Sequence, residues 1–241
     1  MTDTDMSWTH ELKSITLLAD DDTPPLYAPG ASEEYRAARR ALSEAEMALR
    51  DHVEQVAALR RALPPGPALP EYRFTEGSPH DVTLAELFGE HRELVVYHLM
   101  FHPDDDAACA QCSLWVDGLH GVRKHITRRA ALAVVAVAPV EKLRGLARRR
   151  GWHGLRLVSA HGGAFATDLG IQGSRGGLWP AVSVFTRDDG GVVRHSYTQS
   201  SNFPDGRERG MDQIAPVWHV FDLLPSGRGD FYPDNTYPLA H

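Results

Sequence analysis

The sequence predicts an α/β sandwich with a central mixed sheet, preceded by one long N-terminal helix. Three observations carry this. Two runs, "ELVVYHLMF" (93–101) and "ALAVVAVA" (131–138), are apolar on both faces, as buried parallel strands must be. Helix-length segments with apolar stripes lie between and after them. Finally, "AVSVFTRDDGGVVRHSYT" holds two β-rich runs around Asp188-Asp189-Gly190-Gly191, a hairpin pattern. Strands that alternate with helices and then close in a hairpin make a layered α/β domain.

The elements follow in order. Residues 1–31 are polar and broken by Pro24, Pro25, Pro29 and Gly30, so an extended arm is expected. Residues 32–63 contain no Gly or Pro. Ser32 is placed to cap this helix, with Glu33 and Glu34 at its positive end. Tyr35, Leu42, Leu49, Val56 and Leu63 recur every seven residues, and Ala38, Ala45 and Leu59 fill the offset row that His52 interrupts. That is a narrow apolar seam, suited to lying across its own domain or to pairing two copies of the chain. "PPGPALP" stops the helix, and 64–241 forms the main domain. There "EYRF" is a short strand, and Thr83 and Gly89 bound a short helix. A longer helix runs from Cys109 to about Ile126, with Trp115, Leu119, Val122 and Ile126 on one stripe. Pro139 opens another that ends at Arg150, "GLRLVS" is a third strand, and the turn-rich tail 226–241 wraps the surface.

Composition narrows the function. The chain has 241 residues, enough for one well-packed main domain. Its net charge of −7 argues against nucleic acid as a partner. Arg144, Arg148, Arg149 and Arg150 form a basic helix end rather than a basic face. The longest apolar run is about half of the roughly 20 residues a membrane span needs. The first residues lack the apolar core of an export signal, which predicts a cytoplasmic protein. No nucleophile elbow, phosphate loop or His-Glu-x-x-His motif occurs.

The chemistry gathers in "FHPDDDAACAQCSLWVDGLH" (101–120), which holds both cysteines, Cys109 and Cys112. A Cys-x-x-Cys between a buried strand and a helix is the context of the thioredoxin-like fold. Unpaired N–H groups at a helix start stabilise an anion, so Cys109 is the expected nucleophile for thiol–disulfide exchange. Cys112, one turn in, would resolve the mixed disulfide. This chemistry needs no cofactor; the partner is a disulfide or thiol, on a protein or a small molecule. Thioredoxin-like folds set a cis-proline against the cysteines, and Pro180 in "GGLWPAVSVF" stands at that point. Trp179, Trp115 and Tyr197 are the expected groove residues, with Tyr197 paired opposite Val182. Asp104, Asp105 and Asp106 oppose a thiolate if they face it; Asp106 is a candidate cap for the helix. Two alternatives stand beside exchange. Cys109, Cys112, His98 and His102 could hold copper or zinc, with His195 as a further ligand. Or the fold is inert and the long helix is a docking or homodimer seam.

Several stretches in order carry a family resemblance: "LVVYHLMF", the acidic run into "CAQCSLWVDG", "AVVAVAPVEKL", "RGW", "PAVSVFTRDDGGVVRHSYT" and "FDLLPSGR". Over roughly 32–232 the chain resembles an uncharacterised bacterial thioredoxin-like group, a domain of unknown function loosely related to peroxiredoxins. The resemblance implies a thioredoxin-like frame and leaves the activity open. Members of that group commonly carry proline after the first cysteine, where Ala110 stands, and "AHGGAFATDLG" lacks the aromatic character expected there. Peroxiredoxins place threonine three residues before the reactive cysteine and proline after it; here those positions are Asp106 and Ala110, which disfavours a peroxidase.

Overall fold

The computed structural model describes residues 26–77 and 81–236. Most of the expected arm over 1–31 therefore lies outside the described residues. The chain divides into two compact units at Ala62/Leu63.

In the first unit, α1 (Glu33–Arg61) is a single helix whose first turn is capped by Ser32, its hydroxyl accepting from the Tyr35 amide at 3.2 Å. No α1 residue is buried, and Leu42, Leu49, Val56 and Leu59 of the seam are exposed.

The second unit begins with β1 (Arg73–Phe74) and β2 (Val82–Thr83), an antiparallel pair. Next come α2 (Leu84–Leu87), β3 (Glu93–His98), α3 (Ala110–Ile126), β4 (Ala131–Ala136), α4 (Val140–Arg150) and β5 (Arg156–Ser159). Then follow α5 (Phe165–Asp168), β6 (Ala181–Arg187), β7 (Val193–Ser200) and α6 (Pro216–Asp222). Thr83 caps α2 through a full capping box with Glu86. The main sheet has the order β5-β4-β3-β6-β7. β3, β4 and β5 are parallel, while β6 and β7 are antiparallel additions, so the sheet is mixed as expected. α3 and α4 supply the crossovers that parallel strands require. This is a thioredoxin-like sandwich.

A core fills each side of the sheet. One packs Tyr97, Leu99 and Val134 against Cys112, Trp115 and Leu119 of α3, Leu143 of α4 and Trp218 of α6. The other packs Leu94, Val96 and Val135 against Leu84 and Phe88 near α2, Phe165 of α5 and Phe74. Successive β3 side chains thus enter different cores, which is why its sequence is apolar throughout. Two expected details change. Val122, one turn before the end of the α3 stripe, is exposed, while Ile126 beyond it packs on the core. Tyr197 pairs with Val184, not Val182: the register at the turn already differs by one residue from the expected one, and an irregularity between Val184 and Phe185 shifts it by one more, so Gln199 stands opposite Val182.

α3 is anchored at its middle and at its start. The Asp117 carboxylate accepts from Trp152 Nε1 at 2.6 Å and pairs with Arg150, tying the helix to the end of α4. The tail reaches its start: Asn235 Nδ2 donates to the Ala108 carbonyl at 2.8 Å.

Candidate functional site

Beyond β3 the chain keeps parallel pairing for a few residues, with the Leu99 amide on the Val135 carbonyl (2.8 Å) and the Ala138 amide on the Phe101 carbonyl (2.9 Å). It then loops out and returns where the Cys109 amide donates to the Met100 carbonyl at 3.0 Å. This closure delivers Cys109 to the C-terminal end of β3 as the N-cap of α3. Its sulfur takes the capping role, accepting from the Cys112 amide at 3.4 Å. Asp106, the expected cap, is exposed in the loop instead. A capping sulfur must lie over the first helical turn, which also puts it beside the side chain three residues on.

Both thiols are free; Cys109 is partly exposed and Cys112 is fully buried. The Cys112 thiol and the amides of Cys112 and Gln111 support the Cys109 thiolate and pull its pKa down to about 6, against burial. Burial, reinforced by the neighbouring Cys109, holds Cys112 well above the usual thiol range. One sulfur is thus primed as an anion while the other stays a thiol, a division of labour that sequential disulfide exchange requires. Behind them the Tyr97 hydroxyl is buried beside the Cys112 thiol, yet makes no well-formed hydrogen bond with the described residues.

The three aspartates do not crowd the sulfur as a block. The Asp105 carboxylate accepts from the His102 amide at 2.9 Å, and Asp104 lies 3.5 Å from His102 Nδ1. Lys142 of α4 clamps the same loop from beneath, donating to the carbonyls of Pro103 (2.5 Å) and Asp105 (2.7 Å). Cys109, His102, Asp105, Met100, Arg175 and Leu178 line one open depression of about 580 Å³.

Several expected site residues sit elsewhere. The Trp179–Pro180 bond is trans, since the described residues contain no cis peptide. Pro180 opens β6, where its carbonyl accepts from Ser200 Oγ (3.0 Å) and the Ser201 amide (3.3 Å). Trp179 is exposed but lines a different depression with Gln199 and Phe203, because its amide is held on the Ile171 carbonyl at 2.8 Å. Trp115 is core, 2% exposed, packed near Tyr97 rather than facing a substrate. Tyr197, set opposite Val184, donates to Gln199.

The metal set does not converge either. His98 is on the opposite side of the sheet from Cys112, stacked on Phe165 and bonded through Nε2 to Ser183 Oγ at 2.8 Å. His195 lies in the same chain of hydrogen bonds, through Thr198. Of the proposed histidines, His102 alone shares the depression with Cys109. Among the described residues no three of His, Cys, Asp and Glu form a group able to hold a metal ion.

Sequence reasoning missed Lys142, Arg175, Tyr97 and the tail. Tyr232 nears Gln111 (3.5 Å); burial, with the charge of Cys109 next, raises its pKa. None of these carries a motif, and each except Tyr97 reaches the site from a distant part of the chain.

Fold and site together define a thioredoxin-like protein with a Cys-x-x-Cys pair at the start of the helix that follows the central strand. The chain belongs to a bacterial protein family of unknown function, DUF899, which matches residues 27–239. No curated protein matches it. Among solved structures it is similar to peroxidoxin BcpB from Mycobacterium tuberculosis, at 18% identity over 65% of this chain and 96% of that one, with a TM-score of 0.46. It is also similar to reduced Prx3 in complex with hydrogen peroxide from Vibrio vulnificus (17% identity, 64% and 95% covered, TM-score 0.44). A peroxiredoxin-like protein from Aquifex aeolicus matches at 14% identity, 64% and 85% covered, with a TM-score of 0.41. Among the described residues no helix is long and apolar enough to cross a membrane.

Proposed function

We propose that this protein is a cytoplasmic thiol–disulfide oxidoreductase that works through Cys109 and Cys112 and needs no further cofactor. The observation that supports it is the asymmetry of the pair: a partly exposed sulfur drawn down to about 6 above a buried one pushed up. Cys109 attacks a disulfide and Cys112 resolves the adduct. Neutral pH keeps most of Cys109 ionised, so its reactivity is already near its plateau there. Iodoacetamide labelling of the reduced protein, followed by peptide mass, is expected to rise with pH through a midpoint near 6 at Cys109. Cys112 is expected to stay unlabelled across the same range. A Cys109 midpoint near the roughly 8.5 of a free thiol overturns the proposal.

The exposed seam of α1 supports a second reading, self-association through that helix. Apolar side chains every seven residues with none buried fit a two-helix seam better than a solvated helix. Sedimentation of the whole chain is expected to show a dimer that Leu42→Lys/Leu49→Lys dissociates. A monomeric parent chain contradicts this.

A further inference from the structure

The lining of the depression at Cys109 carries one side chain of each charge, Arg175 and Asp105. Arg175 sits in the three-residue loop Ser174-Arg175-Gly176 of a small hairpin. The Gly176 amide donates to the Gly173 carbonyl and the Gly173 amide to the Gly177 carbonyl, both at 2.9 Å. Gly176 takes the left-handed position (φ +83), as such loops require, so the turn presents Arg175 on a defined backbone. Arg175 makes no hydrogen bond or ion pair with the described residues, whereas Arg156, Arg187, Arg209 and Arg228 are each multiply bonded. Asp105 has its Oδ2 held by the His102 amide, while Oδ1 has no partner among the described residues. Met100 and Leu178 add apolar surface to the lining. The volume, about 580 Å³, falls in the range of small-molecule sites.

A guanidinium is suited to grip a carboxylate in a bidentate manner, and a carboxylate accepts an ammonium. We infer that this depression binds a small disulfide flanked by both an ammonium and a carboxylate, the chemistry of an amino-acid disulfide such as cystine. The inference rests on the oxidoreductase reading and names its substrate class. A doubly anionic disulfide meets Asp105, and a doubly cationic one meets Arg175. The zwitterionic form satisfies both groups. The reaction balances without another reactant. The Cys109 thiolate attacks one substrate sulfur, the substrate S–S bond breaks and the first half leaves as a thiolate. Cys112 loses its proton to solvent or to that thiolate and attacks the Cys109 sulfur, releasing the second half. The protein pair is oxidised by two electrons to a disulfide, and the substrate is reduced to two thiols.

The test mixes the reduced full-length protein with L-cystine, cystamine, 3,3′-dithiodipropionate or bis(2-hydroxyethyl) disulfide at pH 7. Protein thiol loss is followed, and each rate is divided by that disulfide's rate with a free monothiol. Cystine is expected to exceed the other three by about tenfold or more, the size of one or two charge-assisted hydrogen bonds. The ratio of cystine to hydroxyethyl disulfide rates is expected to fall about tenfold in Arg175→Gln and in Asp105→Asn. Equal normalised rates for all four overturn the substrate assignment and leave the exchange chemistry intact. Failure to react even with the neutral hydroxyethyl disulfide overturns the oxidoreductase reading itself, and the substrate assignment with it.

Discussion

Cys109→Ser is expected to reduce disulfide exchange to the uncatalysed background, while Cys112→Ser still attacks and then stalls. The geometry separates the two sulfurs sharply. Cys109 is partly exposed at the end of β3, whereas Cys112 is 0% exposed and packed beneath it. Without Cys109 the remaining sulfur is both inaccessible and held as a neutral thiol, the poor nucleophile of the two forms. Without Cys112 the first attack proceeds, but no sulfur lies within reach to release the adduct. Intact mass of Cys112→Ser after mixing with a small disulfide is expected to show the protein plus one half of that disulfide. Cys112→Ala adds a second readout. The Cys112 thiol is the largest support for the Cys109 anion, so its removal is expected to raise the Cys109 labelling midpoint above about 6. Exchange at the parent rate in Cys109→Ser, or turnover without an adduct in Cys112→Ser, refutes the assignment.

The elements that the sequence made legible are those governed by local rules. The Ser32 cap, Thr83 at the start of α2, the doubly buried β3 and β4 and the hairpin each depend on neighbours within a few residues. So does the position of Cys109 at the start of α3. What sequence reasoning lost depends on which face a residue takes. β3 is apolar on both sides, so its pattern does not tell whether Tyr97 or His98 looks toward the cysteines. The structure gives that place to Tyr97 and sends His98 into the other core, which removes the anchor of the metal reading. The register at the hairpin turn and one irregularity beyond it together moved Tyr197, and a turn closed between Gly173 and Gly177 put Arg175 beside Cys109 while Trp179 went elsewhere. The acidic run was visible, but not Lys142, which holds it from α4, 37 residues beyond Asp105. Pairings at that separation leave no periodic trace.

The buried His98 carries the largest expected effect on stability. It is 3% exposed, stacked on Phe165, and begins a chain of hydrogen bonds through Ser183 and Thr198 to His195. Burial, with repulsion from His195 second, lowers its pKa to about 3. An unfolded histidine titrates near 6.5, so below that pH the unfolded chain binds a proton that the native chain refuses. The native state therefore keeps its full advantage above about 6.5 and loses it as the pH falls toward about 3. Across that window the loss reaches about 4 kcal/mol. Between pH 7 and 5 the lowered carboxylates of Asp222 and Asp234 stay ionised, while Cys109 and His195 titrate in parent and His98 variant alike, so the difference between the two curves reports His98. There the parent protein is expected to lose about 2 kcal/mol through this group, seen as a falling urea midpoint. His98→Leu, which keeps the apolar packing on Phe165 and has no proton to bind, is expected to make that part of the curve shallower by about 2 kcal/mol. The Ser183–Thr198 bond survives the substitution, so the variant leaves those two hydroxyls paired with each other. Parallel parent and variant curves between pH 7 and 5 would show that His98 accepts a proton in the native state, and that the polar chain behind the sheet is open to water.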